Sequence, residues 1–530
     1  MADWFLTPDE RGNPATRLDR RHPDGAAWSA GNEVRPLVHG ATYFAALERA
    51  VGQMVRGDLM LFVDWRGDPD ERLTGEPGSE VGQVLCRAAE RGVDVRGLVW
   101  RSHLDRLQFS EVENRHLGEE ITAAGGQCLL DMRVRAGGSH HQKFVVLRHP
   151  GRPELDVAFV GGIDLCHSRR DDAAHGGDPQ PQPMAAVYGP RPPWHDVQLA
   201  LRGPAVGDVE TVFRERWEDP QPLSRNPVHR VADLLRGDDR GRRPLPAQLP
   251  DPPPAGAQTV QLLRTYPRRL GGYPFAPRGE RSVARGYLKA FGRAQRLIYL
   301  EDQYLWSFEA ARAVADLLRT RPGLHLMAVL PHYPDQGGRV SGPPNLIGRE
   351  KALALLRSAG GDRVAVYGLE NPAGTPVYVH AKVCVIDDVW AAVGSDNLNR
   401  RSWTHDSELT AAVWDEAAAG AAPDGGGGER PRRYAQELRL ALAREHLGRA
   451  DGDDAGLADP HSAFAEFARS ADALRRWHEG GRRGPRPPGR LRPLVDPALS
   501  PFTRRWATAV YHQVYDPDGR PRGLRRQHRY

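Results

Sequence analysis

The sequence predicts an α/β protein in which one architecture occurs twice, each copy a mixed sheet flanked by helices. Three observations lead there. Apolar runs of strand length alternate with amphipathic stretches of helix length over most of the chain. The alternation stops in a proline- and arginine-rich stretch at 220–257 and then starts again. Landmarks also recur at matching distances: Asp64 ends an apolar run 77 residues before His141, and Asp302 ends another 78 residues before His380. Identity between the copies is weak, so the repeat is one of architecture.

In the first copy, residues 41–56 carry apolar side chains at helical spacing and 59–65 (LMLFVDW) read as a strand. A helix at 79–91 and a strand at 94–99 follow. The next helix, roughly 109–124, stops at Gly125-Gly126, a C-cap signal. Strands are expected at 127–132, 143–148 and 156–160, then a β-like stretch at 196–202 leading through Gly203-Pro204 into a helix ending near Trp217. Proline-rich polar sequence without apolar periodicity makes 220–257 a linker or a strap across the surface. The second copy gives strands at 258–264, 296–301, 323–330, 363–367, 377–386 and 389–393, with helices at 280–293, 309–319 and 345–358. A glycine-rich loop, Asp424 to Gly428, separates a last helix at 431–447; the remainder reads as an irregular wrap. The expected organisation is an N-terminal segment at 1–36, a first domain at 37–222, a linker at 223–257, a second domain at 258–447 and a C-terminal wrap at 448–530.

At 530 residues the chain is long enough for two sizeable cores. A net charge of +5 permits anionic partners without demanding them. Four scattered cysteines, Cys86, Cys128, Cys166 and Cys384, read as reduced thiols and not as a disulfide framework or zinc site. The first dozen residues are acidic and polar, without the basic and apolar regions of a signal peptide. No run approaches the ~18 apolar residues of a membrane span. A cytoplasmic protein is expected, with peripheral membrane contact left open.

The chemistry lies in two short segments, His141-Gln142-Lys143 and His380-Ala381-Lys382. Of 73 basic side chains, only Lys143, Lys289, Lys351 and Lys382 are lysine. Where a chain so biased toward arginine keeps lysine two residues after a histidine, a compact ammonium is wanted and not a planar fork. On a strand, residues i and i+2 face the same side, so each histidine projects with its lysine. Two such units face to face make one site with two imidazoles and two ammonium groups. That set suits a phosphodiester. The lysines stabilise the charge of the pentacoordinate transition state, so no metal or other cofactor is expected. One neutral imidazole attacks phosphorus; the other, protonated, donates to the leaving alcohol and then activates water or another alcohol.

These segments and their flanks resemble the phospholipase D superfamily, whose signature is two His-x-Lys-x4-Asp motifs. The second motif is complete in His380, Lys382 and Asp387. It continues into Gly394-Ser395-Asp396-Asn397 and Asp406-Ser407-Glu408. Ile298-Tyr299-Leu300-Glu301-Asp302-Gln303-Tyr304, Pro193-Trp194-His195-Asp196-Val197 and Gly161-Gly162-Ile163-Asp164-Leu165 are more similar to phospholipase D proper than to the short nucleases of the family. The resemblance implies two phospholipase D-type domains sharing a site at their interface. It makes His141 the nucleophile and His380 the general acid/base, with Lys143, Lys382 and Asn397 on the phosphoryl oxygens. It also implies a carboxylate behind each histidine: Glu408 for His380, and Asp171, with Asp172 its rival, for His141.

Two departures stand out. Arg148 replaces the Asp of the first motif, with Asp156 a partial substitute, and Asp302 stands where the family usually has Asn. Trp194 and His195 are substrate-pocket candidates, or simply pack at a strand start. The arginine clusters at 238–243 and 481–490 read as solvated linker and tail, or as an anionic-lipid patch. The activity implied is metal-independent hydrolysis of a glycerophospholipid to phosphatidate through a phosphohistidine, with transfer to other alcohols. The alternatives are a cardiolipin-synthase-like phosphatidyltransferase, a nuclease or other phosphodiesterase, and a lipid-binding pseudoenzyme. Nucleic acid is the less favoured substrate, because neither charge nor aromatic content demands it.

Overall fold

A computed structural model describes the chain except residues 2, 23, 103–110, 237–240, 337–341, 420–428, 496–498 and 528. Part of the helix expected at 109–124, part of the 238–243 arginine cluster and the glycine loop from Asp424 therefore lie outside the described residues.

The first half contains β1 (Ser29–Val38), β2 (Leu59–Asp64), β3 (Asp94–Trp100), β4 (Gln127–Asp131), β5 (Phe144–Arg148), β6 (Val157–Gly161), β7 (Trp194–His195) and β8 (Val197–Arg202). Its sheet runs β1–β8–β6–β5–β2–β3–β4, with β2, β3 and β4 parallel and the other pairs antiparallel. The second half supplies β9 (Gln258–Tyr266), β10 (Glu280–Arg281), β11 (Leu297–Glu301), β12 (His325–Val329), β13 (Val364–Glu370), β14 (Pro376–Val379), β15 (Val383–Ile386), β16 (Trp390–Gly394), β17 (Glu408–Asp415) and β18 (Leu491–Pro493). Its sheet runs β9–β17–β16–β15–β11–β12–β13 with the same alternation of directions. The duplication inferred from spacing is therefore a duplication of topology. β10 pairs with β9, and β14 and β18 with β13. β1 pairs with β9 as well as β8, which joins the sheets.

The central strands are buried on both faces, hence their unbroken apolar runs. In β2, Leu61 and Val63 face one core while Met60 and Phe62 face another, as the two-residue period requires. Helices Gly40–Gly52, Val81–Glu90 and Glu111–Ala123 cover the outer face of the first sheet; Ser282–Phe291, Phe308–Thr320 and Gly342–Gly360 cover that of the second. Between the sheets, β6 and β8 pack on β16 and β17, flanked by the fully buried helix Ala205–Trp217 and by Arg433–Leu447.

Several elements differ from expectation. The strand expected at 377–386 is two strands, β14 and β15, interrupted at His380-Ala381-Lys382. The reason is that β14 pairs in parallel with β7 of the other half, and β15 turns back into its own sheet. β1 and β17, and the helices Pro460–Glu479 and Pro501–Val510, had no clear signal; β1 carries mixed polarity and the late helices are arginine- and alanine-rich. The 220–257 stretch is a strap that contains a helix, Pro227–Arg236. It is tied down by Gln248 on Gly207 and by Asp251 on Arg21. In the 481–490 cluster, Arg486 pairs with Glu370 and is not free.

The fourth position of each motif is structural. Asp387 caps the start of β11, accepting from the amides of Gln295, Arg296 and Leu297 at 2.6, 2.8 and 2.8 Å. It lies at the end of β15 remote from Lys382, so its sequence assignment to the catalytic set is corrected. Arg148, at the corresponding end of β5, is fully buried and spans Asp156 (2.9 Å), Glu210 and the carbonyl of Pro250. Asp156 therefore serves Arg148 and His149, and does not stand in for the missing motif carboxylate. Arg148→Ala takes one partner from each of two buried carboxylates, leaving Arg214 on Glu210 and His149 on Asp156, and is expected to cost about 3 kcal/mol. Arg148→Asp, which restores the motif, should be worse because it adds a third. Denaturant midpoints check both; an Arg148→Asp protein as stable as the parent contradicts this account.

Candidate active site

Each motif docks on the opposite half. The His141 amide donates to the carbonyl of Ser407 (2.9 Å), and that of Ser407 to Ser139 (3.0 Å). Reciprocally, Tyr378 and His380 donate to the carbonyls of Pro193 and His195, both at 2.8 Å, where β14 lies beside β7. The imidazoles are fixed by carboxylates from the same opposite segments. His141 Nδ1 lies 2.9 Å from Glu408 Oε2, and His380 Nδ1 lies 2.6 Å from Asp196 Oδ2. With Nδ1 engaged, Nε2 is the nitrogen left for chemistry in both rings.

This reverses the assignment made from sequence. Glu408 serves His141, not His380, and Asp196 serves His380. Asp171 reaches neither histidine; it accepts from the amides of Trp194 (2.8 Å) and Gly177 (3.1 Å) and so anchors β7. Asp172 is exposed. The spacing rule failed because it assumed that each carboxylate belongs to its own repeat. Asp196 was visible in the Trp194-His195-Asp196 run, but only the crossed strand pairing shows what it holds.

Both lysines are buried. Lys143 Nζ donates to the His141 carbonyl (2.8 Å) and lies 3.6 Å from Asp164 Oδ1 and 5.8 Å from the Trp65 ring centre. Lys382 Nζ donates to the His380 carbonyl. Asp164 is a site residue that sequence reasoning missed, although its position in Gly161-Gly162-Ile163-Asp164-Leu165 matches Asn397 in the other copy. The match is structural too. The Leu165 amide donates to Asp64 and the Leu398 amide to Asp302, each at 2.9 Å. Asn397 is buried, and its Oδ1 lacks a protein partner. The Trp194 ring lies tilted beside that of His380, centres 5.0 Å apart, under the Arg169 guanidinium. His195 is no pocket residue: it is fully buried and bonded to Glu301 at 2.6 Å.

Burial, with a lysine beside each ring, holds both imidazoles neutral. His141 is pushed well down, and His380 down to about 3. Burial also pulls Lys382 down to about 8 and lifts Glu408 to about 8 and Asp302 to about 6. Burial lifts Asp64 strongly beside Asp164, whereas Lys143 and Arg169 keep Asp164 ionised against its own burial, so that pair holds one proton. An anionic phosphoryl group between the lysines would cancel their charge and favour the imidazolium that the leaving group needs.

Comparison with known proteins agrees with this geometry. Residues 69–235 match the family model "Phospholipase D", and 291–422 match "Cardiolipin synthase, PLD-like domain". The two models cover the two halves that carry the crossed histidines, and the chain belongs to the phospholipase D superfamily. Phospholipase D alpha 1 of Cynara cardunculus is 26% identical over 505 residues, covering 72% of this chain and 60% of its own length. Phospholipase D alpha 2 of Oryza sativa subsp. japonica is 25% identical, covering 70% and 59%. The chain thus spans about 60% of the length of the curated relatives it matches. Among solved structures, a phosphatidylserine synthase of Haemophilus influenzae Rd KW20 aligns over 72% of this chain and 82% of its own, with TM-score 0.48 and 13% identity.

Glu408→Gln and Asp196→Asn are each expected to lower phosphodiester cleavage about 10²- to 10⁴-fold, because each frees an imidazole from its tautomer and orientation. Asp172→Asn should leave the rate unchanged. A large loss in Asp171→Asn together with a harmless Glu408→Gln would restore the assignment by spacing.

Proposed function

We propose that the chain is a metal-independent phosphodiesterase of phospholipase D type that releases the headgroup alcohol of a glycerophospholipid and leaves phosphatidate. The observation that carries this reading is the pair of crossed histidine–carboxylate bonds around two buried lysines. His141 Nε2 attacks phosphorus, forming the N–P bond as the bond to the headgroup oxygen breaks. His380 gives that oxygen its proton. Water or an alcohol then returns a proton to His380 and attacks phosphorus, and the N–P bond breaks. Lys143, Lys382 and the Asn397 amide hold the nonbridging oxygens. Hydrolysis and phosphatidyl transfer share this intermediate and differ only in which nucleophile enters.

The surroundings suit an anionic substrate. A cleft of about 1550 Å³, lined by Gly137, Arg101, Arg135, Arg225, Arg268 and Arg522 among others, adjoins the segment that precedes His141; neither the two histidines nor the two lysines line it. The names of the relatives favour a lipid over a nucleic acid. Among the described residues no helix is long and apolar enough to cross a membrane, so the substrate would be met at a bilayer surface. The reading as a disabled binder loses its motive, because Arg148 sits at the far end of β5 and not beside His141.

The test is transfer of phosphatidyl from phosphatidylcholine vesicles to ethanol in EDTA, with His380→Ala alongside. Phosphatidylethanol from the parent alone is expected. No product from phosphatidylcholine or from other glycerophospholipids would contradict the lipid reading. The pH profile is a second check. Lys382 is charged below about 8 and loses its proton above it. The rate should therefore fall on the alkaline side of about pH 8, and a rate still rising at pH 10 would contradict the role given to that ammonium.

A further inference from the structure

Behind the Asp196–His380 pair lies a buried cluster that the proposed chemistry does not use. His39, His175, His195 and Glu445 bring one donor atom each within 4.8 Å of all the others. His39 stands between β1 and the helix Gly40–Gly52, His175 lies in the chain leading to β7, His195 ends β7, and Glu445 comes from helix Arg433–Leu447. The three imidazole side chains are 0% exposed and the Glu445 side chain 10%.

Each imidazole turns one nitrogen outward to a fixed partner and the other inward to Glu445. His175 Nδ1 lies 3.1 Å from the carbonyl oxygen of Trp194, which can only accept. His195 Nε2 lies 2.6 Å from Glu301 Oε2, another acceptor. His39 Nδ1 lies 3.2 Å from the carbonyl oxygen of Asp196 and 3.4 Å from the amide of Asp196, which donates to it. Nε2 of His39, Nε2 of His175 and Nδ1 of His195 meet the Glu445 carboxylate at 2.8, 2.9 and 3.4 Å. Three ring nitrogens thus converge on one carboxylate. His195 Nδ1 has no hydrogen-bond partner at all. Arg490 Nη1 lies 3.7 Å from one Glu445 oxygen.

Two arrangements satisfy the cluster. One holds no ion: His39 stays neutral, accepting from the Asp196 amide and donating to Glu445, while His175 and His195, with ring centres 5.7 Å apart, are both imidazolium ions faced by Asp171, Glu301 and Glu445. Like charges at that spacing disfavour it. The other is one divalent cation with every imidazole neutral. Tetrahedral bonds of 2.0–2.1 Å put donor atoms about 3.3 Å apart, against spacings here that begin at 2.8 Å and stay within 4.8 Å. The outward contacts are those that orient metal-bound histidines: a carboxylate behind His195, backbone carbonyls behind the other two.

We propose that His39, His175, His195 and Glu445 form a binding site for a divalent cation of the zinc class, through three nitrogens and one oxygen. The site is structural. It ties the first strand and β7 to a helix of the second half, and two of its imidazoles bond the backbone at Trp194 and Asp196. It thereby fixes the carboxylate that holds His380. The inference stands whether or not the chain acts on phospholipids.

The test uses full-length protein without a histidine tag, exposed to zinc, passed through chelating resin and assayed for metal by mass spectrometry. About one zinc per chain is expected, with a higher thermal midpoint than the stripped protein. His175→Ala and Glu445→Gln should lose the ion. His446→Ala should keep it, because His446 bonds Glu301 outside the ligand set. Cobalt replacing zinc in the unmodified protein should give the visible bands of a tetrahedral nitrogen–oxygen site, a readout that needs no variant to fold. Folded parent protein holding less than about a tenth of an equivalent of zinc and giving no cobalt bands would overturn the proposal. So would zinc retained equally by His175→Ala and Glu445→Gln.

Discussion

The hydrogen bond from His141 to Glu408 runs from one half of the molecule to the other, and so does that from His380 to Asp196. These two bonds set the conditions for the rest of the site. Each requires a motif to leave its own sheet for a few residues and lie along a segment of the opposite one. That is why β14 ends before His380 and pairs with β7, and why the chain at Ser139 exchanges backbone bonds with Ser407. Either half alone would hold a histidine without the carboxylate that fixes its tautomer. The duplicated topology is therefore completed only by the joint between its copies.

Burial sets the chemistry that this joint permits. Two ammonium groups and two carboxylates lie out of water, and the shifts follow from it: imidazoles held neutral, Lys382 lowered, Glu408 raised. A phosphodiester anion is the partner that relieves these charges. Elsewhere the chain neutralises buried acids with arginine. Arg264 bridges Glu215 and Glu280, both at 2.6 Å. Arg216 and Arg133 share Asp131, and Arg439 grips Asp388 with two nitrogens. A planar fork meets a carboxylate with two bonds and stays charged, whereas a compact ammonium fits between phosphoryl oxygens. The scarcity of lysine is thus the counterpart of a core braced by arginine, and the lysines at 143 and 382 stand out because their task differs.

Much of this was legible in the chain. Apolar runs located most central strands, and the 77- and 78-residue intervals disclosed the repeat before any coordinates. The two histidines and two lysines were identified by residue type and spacing. What escaped has physical reasons. β1 and the late helices carry too much polar or arginine-rich sequence for a clear period. The carboxylate partners were misassigned because hydrogen bonding between repeats leaves no spacing signal. Arg148 looked like damage to the motif, yet both it and Asp387 brace strand ends away from the histidines. The cluster around Glu445 gathers residues from four distant stretches, and no local pattern marks it.

The crossing of the two bonds can be measured without any substrate, through the Nδ1–H resonances and nitrogen shifts of ¹⁵N-labelled His141 and His380 in the parent, Glu408→Gln and Asp196→Asn proteins. The account predicts that Glu408→Gln changes the tautomer signature of His141 and spares His380, and that Asp196→Asn does the converse. Substitutions that each disturb the histidine of their own half, and leave the other untouched, would contradict it.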